Sequence, residues 1–473
     1  MNPRTGEILG ADIMLEFKSL SFFINLSKLI GNNKSYDGIE IPSFIHDCNH
    51  PVCNTLESGQ VENIFGGLAL ESLGSTKTER DKMSKQYLTY LILHEIGHTL
   101  GLNHNMKSSQ LHSLNDIHNL ELTSKVGLIG SVMDYPSINI ALEKSKQGLY
   151  YTTRPGPYDL WAIKYAYQKG RSEKETKSLL AKSTKHELMF GNDSDDMRFP
   201  GRAIDPRVNV MDLSSDAIAY SVDRLKLTKL IGDNFLKNLN EEGISYHKHR
   251  VLYNILLSMQ RIQANTISRY IGGVYVERAF IGQEGGTQPF TPVPLEKQKE
   301  AMRALDEYVF SPDAFTFPNE IYNYLQLQRR GFGFFRVNED PKIHQAVLSN
   351  QKTILSHLLH KNTLQRIIDS ELYGNAYKLS DFMSDINNVI FKKDIYENVN
   401  SFRQNLQIEY TKILIKMLTG EKSEMFLPTI KSTILSNLMR VKKMALNSGG
   451  DKSTQAHKSH LVLLIENALE EVK

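Results

Sequence analysis

The residues with the clearest capacity for chemistry lie at positions 91–105, in the segment LILHEIGHTLGLNHN. His94 and His98 are four residues apart in an otherwise apolar pattern, so a helix here would place both imidazoles on one face, one turn apart. Two imidazoles at this spacing favour a single metal ion. Glu95 stands between them, where its carboxylate reaches a water on the metal rather than the metal itself, as a general base for hydrolysis requires.

The residues that follow predict the rest of the ligand set. Gly101 comes three residues after His98, where a helix that ends abruptly needs a residue that tolerates positive φ. The chain then turns back and brings His104 into reach as a third ligand. Three imidazoles with a fourth position left for water are typical of a catalytic Zn²⁺, whereas a structural zinc has four protein ligands. We therefore predict one zinc ion bound by His94, His98 and His104.

A second motif lies downstream, where residues 130–136 read GSVMDYP. Together with the string H-E-x-x-H-x-x-G-x-x-H, this motif resembles the metzincin clan of zinc proteases. In metzincins the methionine lies beneath the metal as an apolar floor, and a tyrosine two residues later, found in some branches, hydrogen-bonds the tetrahedral intermediate. The resemblance implies these roles for Met133 and Tyr135 and assigns none to Asp134. The alternative interpretation makes the histidines satisfied core residues and Met133 ordinary packing.

Local patterns predict the elements that must position these residues. β-type composition indicates strands at 10–17 and 64–72, and an active-site helix is expected over 82–100. Residues 156–168 predict a helix with Pro157 in its first turn, which resembles the helix that closes metzincin catalytic domains. The apolar face predicted for this helix comprises Leu160, Trp161, Ile163 and Tyr167.

The second half of the chain has a different pattern. Residues 267–292 are rich in Tyr and Val between glycines, which indicates a β-hairpin or an extended segment. Apolar residues at three- and four-residue spacing then predict helices at 343–372, 399–419, 426–446 and 453–472. We interpret this tail as a helical bundle or pair array packed against the catalytic domain, with a dedicated recognition module as the alternative.

These elements define an α+β fold class, in which a metzincin-like catalytic domain (a twisted mixed sheet plus the active-site helix) is followed by a mostly α-helical C-terminal region. The expected divisions are a zinc catalytic domain at 1–170, a charged linker with a mixed α/β extension at 171–295, and the helical region at 296–473. A length of 473 residues fits two or three domains.

The charge and hydropathy of the chain bear on whether it binds nucleic acid or spans a membrane. The formal net charge is +3, and lysines and arginines are interleaved with acidic residues, so nucleic acid is not an expected partner. No apolar run approaches the length of a membrane span, and residues 1–10 lack the apolar core of a signal peptide. The oligomeric state is not readable from the sequence.

Two further clusters of potential metal ligands are better explained without a metal. Cys48 and Cys53 lie in the run HDCNHPVC, for which a small-loop disulfide is favoured over free thiols and over a metal site. The acidic run at 192–196 lacks the glycine and distal glutamate of an EF-hand loop, so a solvated turn is favoured over a calcium site.

The resemblance extends beyond the two zinc-site motifs. The chain is similar to bacterial zinc-dependent metalloproteases with a Met-zincin-like domain through the runs NPRTGEILGADIML, HEIGHTLGLNHN, SVMDYP, RPGPYDLWAIKYAY, DPRVNVMDL and FTPVPLEKQKEAM. This resemblance implies an extracytoplasmic location, in the periplasm, in the envelope or secreted. Members of this family carry a long region before the first of these runs, so we expect this chain to lack some strands of the upper cleft wall.

The expected activity is hydrolysis of peptide bonds in a protein or peptide substrate. Glu95 takes a proton from the zinc-activated water and passes it to the leaving amine, and Tyr135 is the candidate additional donor. We expect the substrate to pair with an edge strand at 64–72, with Ser137 and Ile138 in the wall of a side-chain pocket. Two alternatives are an inactive metzincin-fold binding protein, which the intact Glu95 disfavours, and a zinc hydrolase acting on a non-peptide amide or ester.

Overall fold

The computed structural model describes most of the chain from position 54 onward. Described are residues 4, 8, 10, 11 and 13, and residues 54–472 apart from 196–198, 203, 240–241, 244, 328–338 and 448. The strand predicted at 10–17 falls mostly outside these residues, and both cysteines fall outside them.

Helices dominate the described residues, and we number the elements in chain order. The α-helices are Asn54–Ser72 (α1), Lys77–Thr99 (α2), Leu120–Val126 (α3), Pro157–Tyr167 (α4), Glu173–Leu180 (α5), Ala217–Asp233 (α6), Phe235–Leu239 (α7), His247–Ser268 (α8), Leu295–Leu305 (α9), Ile343–Leu358 (α10), Lys361–Glu371 (α11), Leu379–Phe391 (α12), Ser401–Thr419 (α13), Pro428–Ala445 (α14) and Lys452–Val472 (α15). Short 3₁₀ segments occur at Ser108–Leu111, Asp116–His118, Lys144–Lys146, Ala181–Thr184, His186–Leu188, Asn319–Tyr324, Lys392–Asp394 and Ser423–Met425, and a π-helical turn, Asp306–Phe310, extends α9.

The strand predicted at 64–72 is wrong, because these residues form the second half of helix α1. Every residue from 61 to 70 is buried, and α1 packs against α2, α6 and α8. A segment that is buried on all sides lacks the periodicity that separates a helix from a buried strand. Gly66 allows this close packing, since a Cβ there would meet the side chains of Ile138 and Met83.

The hairpin predicted within 267–292 is confirmed. Strands Val274–Val276 (β1) and Phe290–Pro292 (β2) pair antiparallel, with Tyr275 opposite Thr291. This two-stranded sheet is the one sheet found among the described residues, so the twisted mixed sheet is not seen in that part of the chain.

The helical C-terminal region is confirmed in its main features. The helix predicted at 343–372 is divided into α10 and α11, and α12 was not predicted. Buried apolar side chains from Val61 to Ile465 form one continuous cluster, so these helices share a core with α1 and α2. None of the helices in the described part combines the length and the apolar character needed to cross a bilayer.

Candidate metal centre

Helix α2 carries the first two candidate ligands and is fixed at both ends. It begins after Thr76, which forms a capping box with Glu79: the Thr76 hydroxyl accepts from the Glu79 N–H, and the Glu79 carboxylate accepts from the Thr76 N–H. His94 and Gly97 lie on its buried side, whereas His98 is exposed. The prediction of one helix carrying His94, Glu95 and His98 is therefore confirmed.

The helix ends at the predicted glycine. Gly101 has φ of 86°, its N–H donates to the His98 carbonyl, and the Leu102 N–H donates to the Gly97 carbonyl. These two bonds form a Schellman motif, which satisfies carbonyls at the end of a helix and reverses the chain. The Tyr167 hydroxyl, from α4, donates to the adjacent Leu100 carbonyl at 2.8 Å.

The turn brings the three predicted ligands together. One side-chain nitrogen from each of His94, His98 and His104 lies within 4.8 Å of the other two. Each Nδ1 already has an acceptor: the Val132 carbonyl at 2.8 Å from His94, the Leu102 carbonyl at 3.2 Å from His98, and the Asp193 carboxylate at 2.7 Å from His104. Because each Nδ1 donates, each Nε2 carries a lone pair, which is the tautomer that metal-binding histidines adopt.

The environment of His94 fits a metal ligand. Its Nε2 is buried and has no hydrogen-bond partner among the described residues, and a buried polar atom left unpaired costs free energy. Burial lowers the pKa of His94 to about 3, so this imidazole is neutral and able to ligate at neutral pH. Three convergent imidazoles are a donor set that suits Zn²⁺.

Asp193 belongs to the candidate site by its contact with His104, although the sequence did not point to it. It lies in the acidic run interpreted as a solvated turn, and its side chain is 55% exposed, yet its carboxylate orients His104 from 89 positions away. Asp195 in the same turn instead pairs with Arg278 at 2.5 Å. A carboxylate behind a ligating histidine fixes the ring and raises its basicity.

Met133 packs directly beneath the ligand helix. It is fully buried, and a Cβ added to Gly97 would collide with its sulfur. Gly97 lies between the two ligands of α2, so its lack of a side chain is what allows the methionine to approach this turn of the helix. The structure therefore places Met133 where the metzincin resemblance implied an apolar floor.

Buried carboxylates hold the turn that contains Met133. Asp159 of α4 accepts from the Ser131 hydroxyl at 2.5 Å and from the Val132 N–H at 2.8 Å. Asp134 accepts from the Ser108 hydroxyl at 2.9 Å, and burial raises its pKa to about 7. Since the Val132 carbonyl accepts from His94, these bonds position a ligand as well as the turn.

The apolar face predicted for α4 is not buried. Leu160 and Tyr167 are 57% and 48% exposed, and Asp159 is the residue that this helix buries. The helix is held instead by polar contacts, which include the Trp161 indole donating to the Leu179 carbonyl at 2.9 Å. The spacing of apolar residues in α4 predicted the wrong buried face, because this helix contacts the turn at 130–134 through hydrogen bonds to Asp159.

Tyr135 and Glu95 complete the set of predicted residues. The Tyr135 hydroxyl donates to His104 Nε2 at 2.7 Å, and its ring centroid lies 4.8 Å from those of His94 and His104. Glu95 is half-buried and lines the same cavity as the three histidines. All five predicted site residues therefore surround one cavity.

Comparison with known proteins agrees with this geometry. A family model described as Met-zincin matches residues 76–398, which is more than half of the chain. The chain belongs to the Met-zincin family. The resemblance to metzincins drawn from the two motifs is thereby confirmed. No curated protein and no solved structure gives a significant match.

The cavity of this Met-zincin protein has a volume of about 260 Å³. Besides the five predicted residues it is lined by Gly59, Glu62, Tyr87, Tyr90, Leu91, Pro136, Tyr151 and Met211. Ser137 and Ile138, which were expected in the wall of a side-chain pocket, do not line this cavity and are instead buried behind it, where they hydrogen-bond to Glu62.

Met211 belongs to the run DPRVNVMDL, to which the sequence analysis gave no role. It has φ of 59°, a strained conformation for a residue with a side chain, and its N–H donates to the Tyr135 carbonyl at 2.8 Å. This bond joins the segment around Met211 to the turn that carries Tyr135.

Proposed function

We propose that this protein is a zinc-dependent endopeptidase. The observation that carries the proposal is the convergence of three imidazoles, each with its Nδ1 already engaged, on one cavity that Glu95 also lines. Membership of the Met-zincin family supports a metallopeptidase-like function for this arrangement.

His94, His98 and His104 are the residues that would hold a zinc ion, and the chemistry it would supply there is that of a Lewis acid for the water and the scissile carbonyl. Glu95 then acts as the general base: its carboxylate accepts a proton from the attacking water and afterwards donates it to the departing amine. The Tyr135 hydroxyl is the donor for the carbonyl oxygen as negative charge develops there. In the described structure this hydroxyl lies 2.7 Å from His104 Nε2, the atom that would hold zinc, so zinc at that nitrogen would free the hydroxyl to donate to the substrate.

The substrate side of the proposal is a protein or peptide chain that enters the cavity beside Glu95. The edge-strand pairing expected at 64–72 is not available, because those residues are helical and mostly buried. We propose an extracytoplasmic location on the family resemblance alone.

The test combines metal content with product analysis. Protein loaded with one equivalent of zinc is incubated with unfolded casein and with a peptide library, with and without a chelator, and products are identified by mass spectrometry. Cleavage at internal peptide bonds that stops with the chelator and returns with zinc supports an endopeptidase. Zinc-loaded protein that cleaves amide or ester model compounds but no peptide would replace the proposal with a different hydrolase.

A further inference from the structure

The cavity contains a second carboxylate that the proposed reaction does not use. Glu62 of α1 lines the cavity with the histidines and is 2% exposed. Its oxygens accept from the Ser137 hydroxyl and from the Ile138 N–H, each at 3.0 Å. These bonds fix the carboxylate without neutralising its charge.

Arg224 acts on Glu62 through its charge, but the hydrogen bonds of its guanidinium go to other acceptors. The Arg224 guanidinium donates to the backbone carbonyls of Ile138 and Ile140. Within the described part of the chain, no lysine, arginine or histidine forms an ion pair with Glu62. Burial raises the pKa of Glu62 to about 7, although the bonds from Ile138 and Ser137 and the charge of Arg224 each lower it.

Tyr151 provides a second, independent observation. It is 1% exposed, it lines the cavity, and its hydroxyl has no hydrogen-bond partner among the described residues. Its ring forms a three-membered cluster with those of Tyr87 and Tyr90, at 5.1 and 6.0 Å between centroids, and the Tyr90 ring lies 6.0 Å from that of His94. A path of aromatic rings therefore leads from the metal ligands to the unpaired hydroxyl.

We propose that this cavity is a specificity pocket for a long cationic side chain, arginine before lysine, next to the scissile bond, with Glu62 as its counter-ion. The Tyr151 hydroxyl accepts a hydrogen bond from the same cation, and the rings of Tyr87 and Tyr90 cover its alkyl stem and guanidinium plane. This inference rests on the proposed endopeptidase function and names the class of substrate.

The same groups explain why other side chains bind less well. An aliphatic side chain would leave a desolvated carboxylate and a hydroxyl without partners, which is how a polar pocket rejects an apolar analogue. An acidic side chain would place a second negative charge next to Glu62. The expected preference for arginine over norleucine is roughly 10- to 100-fold, the value of one charge-assisted hydrogen bond.

The first test measures binding and does not depend on catalysis. N-acetyl-arginine amide and N-acetyl-norleucine amide are titrated into the zinc-loaded protein, and their dissociation constants are measured by ligand-observed NMR. The ratio of the two constants, which is the arginine preference, is compared between the wild type, Glu62→Gln and Tyr151→Phe. Glu62→Gln keeps an acceptor for Ser137 and Ile138 but loses the charge, so the arginine preference should fall at least tenfold. Tyr151→Phe removes a hydroxyl that has no partner in the described structure, so folding should be unaffected while the preference falls several-fold. Ser137→Ala is the comparison variant, because it removes one contact of Glu62 and keeps the charge and the bond from Ile138, and it should therefore lose much less of the preference than Glu62→Gln does.

The second test is the residue preference of cleavage in the peptide library. Arginine or lysine enriched on one side of the cleaved bond in the wild type, and not in Glu62→Gln, supports the pocket. Equal binding of the two amides, or a preference that survives in Glu62→Gln, overturns the pocket even if peptides are cleaved. Selective binding without any cleavage overturns the proposed endopeptidase function and leaves the pocket standing.

Discussion

Asp193 offers a prediction that separates orientation of a ligand from ligation itself. His94 and His98 donate their Nδ1 protons to backbone carbonyls, which substitution cannot remove, whereas His104 donates to a side chain 2.7 Å away. Loss of such a partner typically costs 10- to 100-fold in metal affinity. Because the His104 and Asp193 side chains are 22% and 55% exposed, water partly replaces the lost acceptor. We therefore expect Asp193→Ala to weaken zinc binding about 10-fold.

The assay is competition for zinc with a chromophoric chelator at neutral pH. Asp193→Asn keeps an acceptor without the charge, so its loss of affinity should be smaller than that of Asp193→Ala. Asp195→Ala is the control within the same turn, since Asp195 pairs with Arg278 and not with a ligand, and it should bind zinc as the wild type does. Wild-type affinity in Asp193→Ala, or an equal loss in Asp195→Ala, would refute the reasoning.

Three further predictions concern the surroundings of the metal centre. Gly97→Ala forces a methyl group onto the buried Met133, so the free energy of unfolding of the apoprotein in urea should fall by roughly 1–3 kcal/mol, and an unchanged value would contradict this packing. Tyr135→Phe should lower kcat about 10- to 1000-fold with KM nearly unchanged, as for loss of one oxyanion donor, and equal changes in both would argue for substrate binding instead. Burial raises the pKa of Glu62 from 4.5 to about 7, so the folded state binds the proton of this carboxyl more tightly than the unfolded state does. The contribution of the protonated Glu62 to the free energy of unfolding is therefore fully present below pH 4.5 and is lost as pH rises to 7. Over that pH range, the free energy of unfolding of the wild-type apoprotein in urea should fall by up to about 1.4 kcal/mol per pH unit relative to that of Glu62→Gln. Plots of this free energy against pH that run parallel for the two proteins would contradict the prediction.

The convergence of the three candidate ligands could be predicted from the sequence because their spacing is local. One turn of helix separates His94 from His98, and a glycine that ends the helix at position 101 brings His104 back. Each step depends on backbone geometry over a few residues, which the order of residue types determines. The hairpin at 274–292 was predictable for the same reason.

The carboxylates around the candidate ligands could not be predicted, because each acts across a long stretch of chain. Asp193 reaches His104 across 89 positions, and Ser137 meets Glu62 across 75. Both carboxylates lie in segments with no local signal of function. The strand at 64–72 was misassigned because residues 61–70 of α1 are all buried, which removes the periodicity on which a prediction depends.

The most direct test of the central claim is the rate of peptide hydrolysis by Glu95→Gln at a measured zinc content. Glutamine keeps the size of the side chain and its hydrogen bonding but does not accept a proton at neutral pH, and the three imidazoles are unchanged. Glu121→Gln, an exposed position whose side chain pairs with Lys125, is the control for the substitution itself.

Glu95→Gln should retain one zinc per chain while its turnover falls by roughly 10²- to 10⁴-fold, the usual effect of removing a general base. Glu121→Gln should match the wild type in both measurements. Near-full peptidase activity in Glu95→Gln at normal zinc occupancy would contradict the role of Glu95 and, with it, the proposed mechanism.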